Sequence, residues 1–201
     1  MKKAILILSA LAIVSCKTDN NSSTNNIEGE KNAIENTENS EKTESGKSLP
    51  KFATLKEMLE DSGDFNEEVG TLKYLSLNEN KLHVQVSKPI LENDLESVKN
   101  EIVKRDIVYV AFQTFAQTDI NELTITSIPD SNDNAKKYFE KYKQTVKINR
   151  ENAKTILKKY LESEDFSILY EEQNGMWLPS KNFSVLKFEK LNEVYDEMTE
   201  K

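Results

Sequence analysis

The apolar residues of this chain are distributed so that a hydrophobic core can form only in its later part. Residues 17–48 are mainly Asn, Ser, Thr, Glu and Lys, with only three apolar residues among them. A segment this polar buries too little apolar surface to offset the entropy that is lost on ordering. We therefore expect residues 16–50 to form a disordered tether and residues 51–201 to form one globular domain.

The N-terminus has the layout of a bacterial export signal. Lys2 and Lys3 precede an apolar run from Ala4 to Val14 that is broken only by Ser9. At about 11 residues the run is too short for a membrane-spanning helix, which needs about 20. It has the length of the hydrophobic region of a signal peptide. We therefore expect residues 1–15 to be a signal peptide.

The end of this signal resembles the lipobox of bacterial lipoproteins in the sequence Ile13-Val14-Ser15-Cys16. The resemblance covers the first 16 residues, and it implies cleavage between Ser15 and Cys16 followed by acylation of Cys16. It also implies durable membrane anchoring, since each buried methylene contributes roughly 0.8 kcal/mol. The expected location is the bacterial cell envelope, with the outer membrane favoured and the periplasmic or surface face open. The alternative is an incidental thiol that ends an ordinary signal peptide.

Composition argues against several classes of function. One Cys excludes an internal disulfide framework, and one His argues against His-rich zinc sites. Five Gly leave little room for a glycine-rich phosphate loop. The net charge of −8 argues against nucleic acid as a partner. We expect no metal and no cofactor.

Apolar periodicity predicts an α+β domain with a mostly antiparallel sheet packed by helices. The predicted helices cover 53–61, 92–117, 134–143, 150–161 and one or two segments after 183. The predicted strands cover 71–77, 82–88, 123–128, 145–148 and a hairpin centred on Asn174-Gly175. The second half of the long helix, 107–117, is apolar on nearly all sides, so a buried strand is the alternative there.

Charge is distributed unevenly along the folded part. Residues 136–159 hold nine basic and two acidic residues, whereas residues 162–201 hold ten acidic and four basic ones. Such asymmetry favours either a docking surface for a partner or two helix faces that attract each other within the fold. The candidate interaction residues are Lys136, Lys137, Lys141, Lys143 and Trp177. For Trp177 the alternative is a partly buried position in the core.

Two weaker signals have simple structural explanations. His83 alternates with apolar neighbours in a strand, so we expect it on the solvent face without metal partners. Residues 130–134 resemble the start of a calcium loop, but Ala135 and Lys141 stand where that loop needs Gly and Glu. A helix-capping turn explains the same residues.

These observations favour a membrane-anchored envelope lipoprotein with a non-catalytic binding or scaffolding domain. Its partners would be the membrane, through Cys16, and another envelope protein. The first alternative is a lipoprotein that binds a small molecule in a pocket lined by aromatic residues. The second is a hydrolase that uses Asp or Glu pairs, a chemistry without a sequence signature here.

Overall fold

The computed structural model describes residues 48–78, 81–131 and 137–200. The predicted signal peptide with Ser15, the predicted lipidation site Cys16, almost all of the predicted tether and the candidate Lys136 lie outside the described residues. Within the described part the fold class is confirmed as α+β, with a mostly antiparallel mixed sheet in one compact domain.

The helices follow the apolar periodicity closely. They are α1 Leu55–Ser62, α2 Glu96–Gln117, α3 Arg150–Leu161, α4 Lys181–Ser184 and α5 Leu191–Thr199. Short 3₁₀ turns cover Glu140–Tyr142 and Phe166–Leu169, and a π-helical turn, Val185–Glu189, follows α4. Thr54 and Glu57 cap the start of α1 reciprocally, and Gly63 ends it in the left-handed conformation.

Eight strands form three sheets in the described residues. They are β1 Leu72–Ser76, β2 His83–Val86, β3 Pro89–Ile90, β4 Glu122–Ser127, β5 Asp130–Ser131, β6 Gln144–Asn149, β7 Tyr170–Gln173 and β8 Met176–Pro179. The main sheet has the order β1-β2-β4-β6, in which β2 and β4 are parallel and the other two pairs are antiparallel. Helix α2 is the crossover that a parallel pair requires. The short strands β3 and β5 pair in parallel, and β7 with β8 forms the predicted hairpin.

Helix α2 settles the choice that the sequence left open. Residues 107–117 are helical and almost entirely buried, because this half of α2 lies among the main sheet and the C-terminal helices. The all-round apolar character therefore reflects burial on several sides at once. Within the described residues no helix is both long enough and apolar enough to cross a membrane.

The prediction of a helix over 134–143 is wrong for its described residues. The N–H of Phe139 donates to Pro129 O at 2.9 Å, and the N–H of Ser131 donates to Lys137 O at 2.9 Å. Tyr138 forms an antiparallel bridge with Asp130. The backbone of this segment therefore pairs with the chain around β5, and only a single 3₁₀ turn forms afterwards.

Candidate functional site

A cleft of about 260 Å³ opens where α2 meets the turn after α4. Its residues come from five separate parts of the chain: the loop after α1, the loop after β2, the middle of α2, the end of β8 and the π-helical turn after α4. They are Asp64, Lys88, Arg105, Asp106, Tyr109, Pro179, Lys187 and Phe188.

Three cations converge on this cleft. Within the described part of the chain, Lys88, Arg105 and Lys187 form no ion pair with a carboxylate. Lys88 Nζ donates to the backbone carbonyl oxygen of Asp64 at 3.0 Å and lies 4.5 Å from the Phe65 ring centre. The Arg105 guanidinium lies 5.9 Å from the ring centre of Phe188. Each cation is half-buried, so a charge partner supplied from outside would be stabilised there more than at an open surface.

Lys187 is positioned by rings and by an irregular backbone. Its Nζ lies 4.7 Å from the ring centre of Tyr109 and 4.8 Å from that of Phe183. The π-helical turn aims it there, with the Lys190 N–H donating to Val185 O, five residues back, at 2.8 Å. Burial lowers the pKa of Lys187, and Asp64 opposes that shift.

Asp106 is the buried carboxyl of the cleft. It is only 3% exposed, and its Oδ2 has no hydrogen-bond partner among the described residues. Burial raises the pKa of Asp106 to about 7, although Arg105 and Lys88 both act to lower it. The side chain is therefore largely protonated below neutral pH, a state in which a carboxyl group can donate a hydrogen bond.

Tyr109 and Asp64 form a hydrogen-bonded pair in the cleft. The Tyr109 hydroxyl donates to the Asp64 carboxylate, and its ring stacks on Phe183 with centres 5.4 Å apart. Burial and this hydrogen bond raise the pKa of Tyr109 far above its ordinary value, so the phenol stays neutral. Asp64 is thereby occupied by a protein donor.

The predicted basic stretch behaves differently. Lys141 pairs with Glu96 at 2.8 Å, Lys143 pairs with Glu140 at 3.4 Å, and both lysines are exposed. Lys159 of α3 pairs with Glu197 of α5, which links the basic and the acidic segments inside one domain. Lys137 is exposed beside the Phe139 ring. Among the described residues, the Lys159–Glu197 ion pair is the one that joins the two segments, and the other paired lysines of the stretch contact glutamates elsewhere, so attraction between the two faces accounts for only part of this charge.

Trp177 and His83 lie outside the cleft. Trp177 is half-buried on β8 and packs against the hydrophobic core, as its alternative prediction stated. His83 is half-buried rather than fully exposed, with Nε2 2.9 Å from the Thr126 hydroxyl, which in turn lies 2.8 Å from that of Thr145. Burial lowers the pKa of His83, and Lys143 adds to this effect. No group of three or more potential metal ligands occurs in the described ranges.

None of the cleft's charged residues is among the candidate interaction residues predicted from the sequence. One signal was available. Arg105 and Asp106 directly precede the all-apolar half of α2, where a carboxylate has to be buried. For Lys88 and Lys187 no local pattern distinguishes them from other surface lysines.

Comparisons of this chain with protein-family models, with curated proteins and with solved structures find no match.

Proposed function

We propose that this chain is a lipid-anchored protein of the bacterial cell envelope whose folded domain binds a small ligand in the cleft without transforming it. The sequence of residues 1–16 supports the anchor, and the polar segment that follows supports a tether. The observation that carries the binding role is the convergence of Lys88, Arg105 and Lys187 on one cleft without an ion-pair partner among the described residues.

The energetics support a ligand rather than a purely structural role for these cations. A half-buried charge loses part of its hydration, and a cation–π contact of about 0.5–1 kcal/mol offsets only part of that loss. Partly buried cations without an ion-pair partner are typical of a site that binds an anionic group. The cleft volume also favours a small ligand over a broad protein interface.

The anchor is tested by replacing Cys16→Ser in the full-length chain in a bacterial host. We expect the unmodified chain to incorporate an alkyne-labelled fatty acid and to sediment with membranes. The variant should lose the label and leave the membrane fraction. Membrane retention and labelling that survive the replacement would contradict the anchor.

The binding role is tested by photo-crosslinking in cells. A photoreactive amino acid replaces Phe188, which is 56% exposed at the rim of the cleft, and a control places it at Leu75, 50% exposed on β1. We expect a crosslinked adduct from position 188 and none from position 75. The mass of the adduct distinguishes a small ligand from the envelope-protein partner that the sequence analysis predicts. Identical products at both positions, or none at 188, would count against the cleft.

A second candidate function is carboxylate-dependent hydrolysis. Asp64 and Asp106 line the same cleft, and a carboxyl group with a pKa near 7 has the property that a general acid requires. Turnover of an ester or glycoside panel that Asp106→Asn abolishes would favour this candidate over simple binding.

A further inference from the structure

The cleft also carries information about the chemistry of its ligand. We propose that it binds a small organic anion bearing a carboxylate or phosphate group, held by Lys88, Arg105 and Lys187 beside the buried Asp106. This inference rests on the proposed binding function and names the ligand class for the same site.

The charge balance of the cleft favours an anion. Three cations and two carboxyl groups, Asp64 and Asp106, line the cleft, and burial raises the pKa of Asp106 to about 7. Asp64 already accepts the hydrogen bond of the Tyr109 hydroxyl, so it competes only in part for the cations. A cationic or neutral ligand would not neutralise the excess positive charge of the cleft. An anion would neutralise it, and the attraction is stronger because the site is partly desolvated.

The geometry of the donors suits an oxyanion. Arg105 has a planar guanidinium that can bind two oxygens at once. The two lysines contribute ammonium groups from other segments of the chain. Rings beneath Lys88, Arg105 and Lys187 restrict their motion, which lowers the entropy lost when a ligand is fixed. The volume of about 260 Å³ lies below the roughly 300–1,000 Å³ of sites for drug-sized ligands.

Asp106 makes anion binding in the cleft depend on pH. While protonated, its carboxyl group can donate a hydrogen bond to a ligand oxygen, and once ionised it repels that oxygen. The groups that face it are Asp64 from the loop after α1, Lys88 from the loop after β2, Arg105 and Tyr109 from α2, and Lys187 from the π-helical turn. Burial raises the pKa of Asp106 to about 7. Anion binding should therefore weaken as the pH rises through that range.

The test is isothermal titration of the full-length protein in detergent with sulfate and with oxalate. Both probes keep their charge between about pH 6 and about pH 8, so any pH dependence belongs to the protein. We expect binding that weakens several-fold over this interval. Lys88→Gln and Lys187→Gln should each weaken it roughly tenfold at the lower pH. Lys143→Gln, which removes a lysine with a carboxylate partner outside the cleft, is the matched control and should change nothing.

Asp106→Asn tests the role of the carboxyl group. The amide donates a hydrogen bond at every pH, so we expect affinity that no longer depends on pH and matches the unmodified protein at about pH 6. Circular dichroism of each variant confirms that it is folded. A pH dependence that persists in Asp106→Asn would overturn the role of Asp106.

Two outcomes would overturn the ligand class. One is equal loss of binding in Lys143→Gln and Lys88→Gln, which indicates general charge screening. The other is the absence of sulfate and oxalate binding while phosphatidylglycerol vesicles bind at the cleft, which assigns the site to a lipid surface. A cleft-specific small-molecule crosslink without binding of any anion would leave the proposed function standing and remove this inference alone.

Discussion

Two groups of cations in this domain are stabilised in opposite ways. Lysines of the basic stretch, such as Lys141 and Lys147, pair with glutamates from other segments at 2.8 and 2.9 Å on the open surface. The cations of the cleft rest on aromatic rings and have no carboxylate partner within the described residues. Five of the seven described lysines in the most basic region of the sequence are thus paired with glutamates, whereas three scattered cations form the candidate site. Charge that is dense along the chain is therefore a poor guide to where a ligand binds.

The largest expected effect comes from removing the ring that supports the cleft. Phe183 is fully buried and contacts Tyr109, Tyr170 and Lys187. Phe183→Ala should lower the free energy of unfolding by about 3–5 kcal/mol, measured by urea denaturation. The exposed Phe188→Ala is the control and should stay within about 0.5 kcal/mol. A small loss for Phe183→Ala would mean that the cleft does not depend on the core.

The next effect concerns the pH dependence of stability. The pKa of Asp106 rises from 3.8 to about 7 on folding, so the folded state binds the proton more tightly. Its contribution to stability is therefore complete below about pH 4 and is lost as the pH rises to about 7. Asp106→Asn should remove this loss and make the variant a few kcal/mol more stable at about pH 8.

Urea denaturation across this pH range measures the difference between the two proteins. Asp61→Asn, at an exposed carboxylate in the last turn of α1, is the matched control and should follow the unmodified protein. Parallel curves for Asp106→Asn and the unmodified protein would show that Asp106 does not titrate in this interval.

Arg150 is an exception in the basic stretch. It is half-buried like the cleft cations, but its charged group binds the backbone of the domain itself. Its guanidinium donates to the carbonyl oxygens of Phe115, Thr118 and Ile120 at 2.8, 2.6 and 3.0 Å. It thus joins α3 to the end of α2 and to the approach to β4. Arg150→Gln should cost about 2 kcal/mol by thermal or urea denaturation, since hydrogen bonds from charged groups are the stronger ones. A neutral effect would reduce this residue to an ordinary surface cation.

The smallest effect sharpens the comparison most. Lys187→Met keeps much of the apolar stem on the Tyr109 and Phe183 rings and removes a half-buried charge, so stability should rise by about 0.5–1 kcal/mol. Lys143→Met at an exposed ion pair should change stability by less than about 0.5 kcal/mol. Differential scanning calorimetry compares the two variants. A destabilised Lys187→Met would indicate that this lysine is kept for structure rather than for binding.

Much of the fold could be predicted from local chemistry. Asn149 caps α3 by accepting the Asn152 N–H at 2.8 Å, and Asn174 and Gly175 both take the left-handed conformation that the β7–β8 turn requires. These features depend on residues within one turn of each other. The helix expected at 134–143 failed because its backbone partners lie in the chain around β5, which helical propensity cannot reveal.

The cleft was beyond prediction for a related reason. Asp64 and Lys187 are far apart in the chain. They line the same cleft only because α2 packs against both the N-terminal and the C-terminal segments of the domain. The buried Asp106 was visible in principle as a carboxylate at the edge of an apolar run. Its meaning required knowledge of which neighbouring cations surround it.

The π-helical turn at Val185–Glu189 sets how α5 is rotated about the helix axis relative to α4. Such a turn arises when one extra residue is inserted into an α-helix. Deleting a single residue there would let α4 run into α5 as one regular helix and rotate the preceding side chains by about 100° relative to α5. Lys187 and Phe188 would then be displaced from the cleft. In related chains, the site could therefore be gained or lost through a change in length, without any change in the residues that line it.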